Sequence, residues 1–381
     1  LNDTVYRSDD VEVRRIRGDA DSGIQVVTFH SYHDGNGLDH RGFGELYFTR
    51  ERMDAIHVLC RGNDWYQYAE MPTITAAIRS AVEGAQRVIT YGTSMGGYAA
   101  IRFADAIGAD IALAISPQYS VDPRKMPSER RWLDDQRRIR FLPGVDGRIR
   151  FAGRVIIAYD PELALDRLHV ERFEKDVKVE HLPLPHAGHP ASTYLHETGI
   201  LQPLVRSIIS NTLNIAAFAE NAASLATKSP AYLIQLSASK PSAEAIVLAE
   251  RAAALAPGEA YVFNALGDRL AAAEDWPRAI DAYRRAVALD PKTAFRWNLA
   301  KALTVAQYPD EALSLTRTLQ DEAPAVARYH RHAAKLLLAR GDKVGALAEV
   351  RTAIRCAPAD RGHRRAALRL GWQLRRERWF G

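Results

Sequence analysis

The sequence predicts two dissimilar modules. Residues 1–205 read as an α/β domain with a mainly parallel sheet flanked by helices, and residues 241–381 as an all-α repeat solenoid with a terminal capping helix. A helical stretch, 206–240, joins them. Three observations carry this reading. The chain has 381 residues, more than one core usually holds. Its first part alternates short β-branched runs with helix-like stretches, the pattern of a parallel sheet covered on both faces. In its last part, Pro257, Pro291, Pro324 and Pro358 recur at spacings of 34, 33 and 34.

In chain order, the strand-like runs are Ile24–Phe29, Ile56–Cys60, Arg87–Tyr91, Ile111–Ile115, Arg154–Tyr159 and Val177–Leu182. Helices are expected over Thr73–Val82, Gly97–Ile107 and Asp166–Lys175. Between Val121 and Gly153 the strand pattern lapses into an arginine-rich insertion, PRKMPSERRWLDDQRRIRFLPG, placed where a cap over a site is expected. Its arginines could meet an anionic substrate, but a solvated face is the expectation.

Each recurring proline follows an Ala-rich helical segment. Counting back from Pro291 as position 32, Phe263, Leu266, Gly267, Leu270, Ala279, Tyr283 and Ala286 take positions 4, 7, 8, 11, 20, 24 and 27. Small residues at 8 and 20 let two helices of one unit approach closely, and the proline stops the second helix. The pattern resembles the tetratricopeptide repeat. The unit ending at Pro358 repeats it with Ala333, Ala334, Leu337, Ala346, Val350 and Ala353, while the unit ending at Pro324 is one residue short, which shifts Ala312 out of register. Seven arginines (361, 364, 365, 369, 375, 376 and 378) crowd the last 21 residues and fit the polar outer face of a capping helix.

Composition narrows the function classes. Apolar residues make up 47% and charged residues 25%, ordinary for a globular chain. Lys plus Arg exceeds Asp plus Glu by 51 − 46 = 5, too mild a surplus to demand nucleic acid as a partner. Two cysteines, Cys60 and Cys356, give no disulfide framework and no multi-Cys zinc site, which fits a reducing compartment, the cytoplasm. No apolar run is long enough for a membrane span. Neither G-x-G-x-x-G after a first strand nor G-x-x-x-x-G-K-[ST] is present, so no organic cofactor is expected.

The sharpest local signal is Tyr91-Gly92-Thr93-Ser94-Met95-Gly96-Gly97-Tyr98, between a strand-like and a helix-like run. G-x-S-x-G in that context is a nucleophile elbow: the glycines clear a sharp turn, and Ser94 is held in strain at the top of the sheet. The segment resembles the α/β-hydrolase superfamily over about residues 20–205. The resemblance implies an ester, thioester or amide hydrolase with serine, acid and histidine in that chain order. The histidine is expected at His189, in the loop after the last strand, with His186 as its competitor. For the acid, Asp160 at the end of RVIIAY is favoured, Asp166 is the runner-up, and Glu162 and Asp122 are further candidates.

Two backbone N–H donors are needed for the developing oxyanion. Met95 is expected to supply one, and the loop His30–Gly35 the other, at Ser31. That loop has no HGGG run. His30, His33 and His40, with Asp34 and Asp39, match no standard metal-site spacing, so no metal is expected. Trp65 and Tyr66, after the run IHVLC, are candidates to bind a sugar ring or acyl group, or else to pack the loop onto the core.

The whole chain resembles bacterial proteins in which a compact hydrolase domain is fused to tetratricopeptide repeats, some of which accompany polysaccharide or glycoprotein biosynthesis. The expectation is a serine hydrolase cleaving a small ester or an acylated glycan, with the repeats binding a protein or peptide partner. The alternative is an inactive hydrolase-fold scaffold that works through its repeats.

Overall fold

The computed structural model describes residues 2–18, 23–33, 37–358, 362 and 364–369. It divides into two compact units, Leu1–Gln235 and Leu236–Gly381.

The first unit is built on one eight-stranded sheet. Its strands are β1 (Asn2–Arg7), β2 (Val11–Ile16), β3 (Ile24–Phe29), β4 (Ala55–Cys60), β5 (Arg87–Thr93), β6 (Ile111–Ile115), β7 (Arg154–Tyr159) and β8 (Val179–Pro183). The spatial order is β1-β2-β4-β3-β5-β6-β7-β8. The sheet is mixed: β1–β2 and β2–β4 pair antiparallel, and every pairing from β4–β3 to β7–β8 is parallel. Five of the six strand-like runs lie within it, and the sixth, Val177–Leu182, joins it from Val179. The first two strands were not anticipated, because NDTVYR and VEVRRI mix charges into the strand period. Glu12, buried on β2, is balanced by Arg14 at 2.7 Å.

Helices α1 (Glu45–Arg50), α2 (Met71–Ala81), α3 (Met95–Arg102), α4 (Ala104–Ile107), α5 (Leu133–Arg138), α6 (Ala164–Phe173), α7 (Ala191–Glu197), α8 (Leu201–Ile209), α9 (Ile215–Leu225) and α10 (Pro230–Ser237) follow in chain order. Successive side chains of a strand point to opposite faces, and the sheet's two cores follow that alternation. Val27, Phe29, Ile56 and Val58 pack with α2 and α3 through Met71, Ile74, Ile78 and Tyr98. Val26, Ala55, Ile89, Leu113 and Ile156 pack on the other side with Tyr194 and Leu195 of α7 and Leu204 and Ile208 of α8.

The stretch 206–240 is therefore not a free linker. Ala222 of α9 and Ala226 join that second core, and the Tyr194 hydroxyl donates to the Ala222 carbonyl. Residues up to Gln235 belong to the first unit.

The second unit is a run of helices: α11 (Ser242–Leu255), α12 (Ala260–Ala272), α13 (Trp276–Leu289), α14 (Thr293–Val305), α15 (Pro309–Glu322), α16 (Ala327–Ala339) and α17 (Lys343–Cys356). Three of the connections are the same turn. Glu274, Gln307 and Gly341 take φ of 61°, 66° and 82°, and the following N–H of Asp275, Tyr308 and Asp342 reaches back to the carbonyl of Leu270, Leu303 and Leu337 at 2.8–2.9 Å. This is a left-handed helix stop that satisfies otherwise orphaned carbonyls.

Gly267, Ala300 and Ala334 occupy one position of the first helix in each pair, and Ala279, Ala312 and Ala346 one position of the second; all six are buried. Ala312 is thus in register, contrary to the expectation. The missing residue is absorbed between helix pairs, in the three-residue connection 290–292, where 256–259 and 323–326 have four. In the expected capping helix, 362 and 364–369 are helical; the rest of that segment, with Arg361, Arg375, Arg376 and Arg378, lies outside the described residues.

Candidate active site

The elbow forms where β5 meets α3, and the glycines explain its shape. A Cβ on Gly92 would stand 2.2 Å from the Gly96 carbonyl oxygen, and one on Gly96 would stand 2.3 Å from that of Phe29. The turn can close only without those side chains. Ser94 sits at its apex with φ 51° and ψ −117°, a left-handed conformation that a serine adopts only under constraint, and its N–H donates to Ile115 at 2.8 Å. Met95 is the first residue of α3, so its N–H is among those a helix start leaves without an intrahelical acceptor. Ser31 lies two residues beyond β3, and in the same loop Asp34 and Gly35 are outside the described residues.

Ser94 Oγ lies 3.0 Å from His189 Nε2, and His189 Nδ1 lies 2.8 Å from Asp166 Oδ2. The serine–histidine–carboxylate order in the chain is the expected one. The carboxylate is the runner-up of the sequence reading, and Asp160 is corrected. Asp160 accepts from the N–H groups of Glu162, His186 and Gly188 at 2.9–3.0 Å, so it shapes the loop that carries the histidine without touching it. Glu162 is exposed, and Asp122 is clamped by Arg124 through three side-chain contacts of 2.6–2.9 Å. His186 is turned to the left-handed φ of 59° with its ring beside Tyr232.

Further contacts fix the start of α7 just past His189. Ser116 Oγ accepts from the Ala191 N–H at 3.0 Å, and Thr93 Oγ1 donates to Ser192 Oγ at 3.1 Å.

Asp166 is buried and held from two sides. Burial pushes its carboxyl up, but the hydrogen bond to His189 and the Arg131 guanidinium outweigh that and keep it below the usual carboxylate range. Arg131 meets Asp166 Oδ1 at 2.7 Å and also grips buried Glu129 at 2.7 Å. Glu129 accepts from His169 Nε2 at 3.0 Å, while His169 Nδ1 accepts the Tyr119 N–H at 3.0 Å. With one ring nitrogen accepting and burial pushing its pKa down, His169 is a neutral donor. Burial likewise raises Glu129, yet His169 and Arg131 bring it down to about 2.

The insertion therefore reaches the site, and its arginines are largely paired. Besides Arg131, Arg137 meets Asp134, Arg138 meets Asp64 and Asp135, and Arg148 meets Asp176. All of them except Arg131 are exposed, so apart from Arg131 they form the expected solvated face.

Gln118, fully buried in the loop after β6, was missed by the sequence reading. Its Nε2 lies 3.0 Å from both Ser94 Oγ and His189 Nε2. Its place just past the carboxyl end of a central strand was the available signal.

Tyr66 is a core residue: fully buried, it donates to the His30 carbonyl at 2.7 Å and packs edge-on against Phe29. Trp65 is also buried, but it belongs to an aromatic cluster with Tyr32 and Trp132, and Trp132 stands 6.5 Å from the His189 ring. The indole N–H groups of Trp65 and Trp132 are buried without an acceptor among the described residues.

No family model matches the chain, and no curated protein matches it. Among solved structures, it is similar to YrrB, "a TPR protein with an unusual peptide-binding site", at 21% identity and a TM-score of 0.36, over 45% of this chain and 89% of that one. It is similar to MamA at 18% identity and a TM-score of 0.32, over 33% of this chain and 77% of that one. A third is the first TPR of Spaghetti bound to an HSP90 peptide, at 15% identity and a TM-score of 0.29, over 30% of this chain and 93% of that one.

Proposed function

We propose that the first unit is a serine hydrolase of the α/β-hydrolase type that cleaves an ester, with a small ester or an acylated glycan as its substrate. The observation that carries this is the unbroken line Ser94 Oγ, His189 and Asp166, with contacts of 3.0 and 2.8 Å. In the reaction, Ser94 Oγ attacks the acyl carbonyl while His189 Nε2 takes its proton. The same proton then goes to the leaving alcohol, and water, activated by the same imidazole, releases the acyl group. Asp166 fixes the tautomer with the proton on Nδ1 and stabilises the imidazolium that forms. The Met95 N–H, aided by the start of α3, and a donor at Ser31 are assigned to the oxyanion.

The second unit is assigned to binding a protein or peptide partner. Support comes from its helix pairs, which repeat one turn three times, since stacked repeats of this kind build extended concave surfaces. We place the protein in the cytoplasm; Cys60 and Cys356 are both free thiols. No described helix is long and apolar enough to cross a membrane.

One observation favours the second reading, an inactive scaffold. The Gln118 amide stands close enough to His189 Nε2 to compete with Ser94 for its lone pair. Turnover of p-nitrophenyl esters from acetate to octanoate separates the two. The hydrolase reading expects a burst equal to the enzyme concentration with at least one chain length, absent in Ser94→Ala. Release that is unchanged in Ser94→Ala argues for the scaffold.

A further inference from the structure

A second constellation lies in the loop between β3 and α1, and the serine chemistry makes no use of it. His30 follows β3 directly, and the rings of His33 and His40 stand against its ring. One ring nitrogen from each of the three lies within 4.8 Å of the others. The ring centroids of His30 and His40 are 4.2 Å apart, and His33 is 4.9 Å from each. Spacing gave no hint of this, because His30-x2-His33-x6-His40 becomes a cluster only once the loop has folded.

The loop is fastened from outside at every ligand. The Tyr66 hydroxyl holds the His30 carbonyl at 2.7 Å. Asn63 holds both the N–H and the carbonyl of His33, at 3.0 and 2.7 Å. Arg14 holds the carbonyls of Leu38 and His40 at 2.8 and 2.9 Å, and the Gly37 N–H donates to Arg61 at 2.9 Å.

The nitrogens themselves are what a metal needs. His30 Nδ1 and His40 Nε2 are buried and have no hydrogen-bond partner among the described residues, a costly condition for polar atoms. His40 Nδ1 lies 3.2 Å from the Arg41 carbonyl and so carries the ring proton, which leaves a lone pair on the orphaned Nε2. A carbonyl orienting the far nitrogen is the usual support of a metal-bound histidine.

We propose that His30, His33 and His40 form a three-imidazole site for a borderline divalent transition-metal ion, Zn2+ foremost. Imidazole nitrogens suit zinc, copper and nickel over magnesium or calcium, which take oxygen ligands. A tetrahedral zinc with Zn–N of about 2.0–2.1 Å sets its ligands about 3.4 Å apart, so each ring needs to move by less than about 1 Å. The ion would fasten the loop that carries Ser31 to the end of β3. The site stands on its own geometry and does not depend on the hydrolase proposal.

The test uses the full chain, stripped with a chelator and titrated with Zn2+ and with Co2+. The expected result is one equivalent bound, with the strong visible bands of four-coordinate Co2+. Zn2+ is also expected to raise the thermal midpoint of the wild type. His30→Ala, His33→Ala and His40→Ala should each weaken binding at least about tenfold, since even outer-shell partners are worth 10–100-fold. Wild type that takes up no metal overturns the proposal, as does binding that persists in the folded variants. Should the variants fail to fold, X-ray absorption of the zinc-loaded wild type decides. Three imidazole ligands support the site, and fewer refute it.

Discussion

Asp166 and Asp160 differ in what they hold, so replacing each with asparagine separates catalysis from loop support. Asp166→Asn keeps the size of the side chain and a contact with Arg131, which retains Glu129 as a partner. It removes the charge that keeps the proton on His189 Nδ1, 2.8 Å away. The wrong tautomer then faces Ser94, and the loss in kcat is of the order of 10^4, with a stability change of about 1–2 kcal/mol. Asp160→Asn acts oppositely. It replaces a carboxylate that accepts three N–H groups, those of Glu162, His186 and Gly188. Losing charge on these bonds, and one acceptor oxygen, costs about 2–4 kcal/mol. At about 2–4 °C per kcal/mol for a unit of this size, the midpoint falls by about 4–16 °C. Activity below that temperature should stay within about tenfold, because the histidine's partner is untouched. The assay pairs thermal denaturation with ester turnover at 15 °C. Turnover abolished in Asp160→Asn while Asp166→Asn remains near wild type would refute the assignment.

Three other outcomes are expected. Gly96→Ala forces a Cβ to 2.3 Å from the Phe29 carbonyl oxygen, so soluble folded protein should be lost, as read by expression and circular dichroism. In the second unit, Gly267→Ala brings a Cβ to 2.6 Å from the Tyr283 ring, and overpacking of this kind costs about 1–3 kcal/mol. The isolated effect should appear in urea denaturation and be relieved in Gly267→Ala/Tyr283→Leu. Glu129 has a folded pKa of about 2 against 4.5 ordinarily. Its contribution of up to about 3 kcal/mol is therefore complete above pH 4.5 and is lost as the pH falls towards 2. Glu129→Gln should be less stable at pH 7 and show a flatter acid limb.

What could be read from the sequence was whatever local chemistry dictates. The glycines flanking Ser94 have no alternative once the turn is tight, and the small residues facing each other in the helix pairs follow from close helix approach. Most of the six strands showed as β-branched runs because both faces of β3 to β7 are largely buried. β1 and β2 did not show, since charges such as Glu12 and Arg14, which pair with each other along β2, interrupt the strand pattern. The acid was ambiguous because two carboxylates lie six residues apart around the end of β7. Which one faces His189 depends on the N–H groups of the His186–Gly188 loop, which claim Asp160. Gln118, Arg131 and the three-histidine cluster are products of long-range folding, with no spacing to announce them.

The central claim is that Ser94 is an activated nucleophile. Reaction of the full chain with a fluorophosphonate, followed by mass spectrometry of the digested protein, tests it most directly. The account predicts a single adduct on the peptide holding Ser94, absent in Ser94→Ala and slowed at least about a thousandfold in His189→Ala, with both variants folded. An unmodified wild type, or an adduct elsewhere with Ser94 untouched, would contradict it.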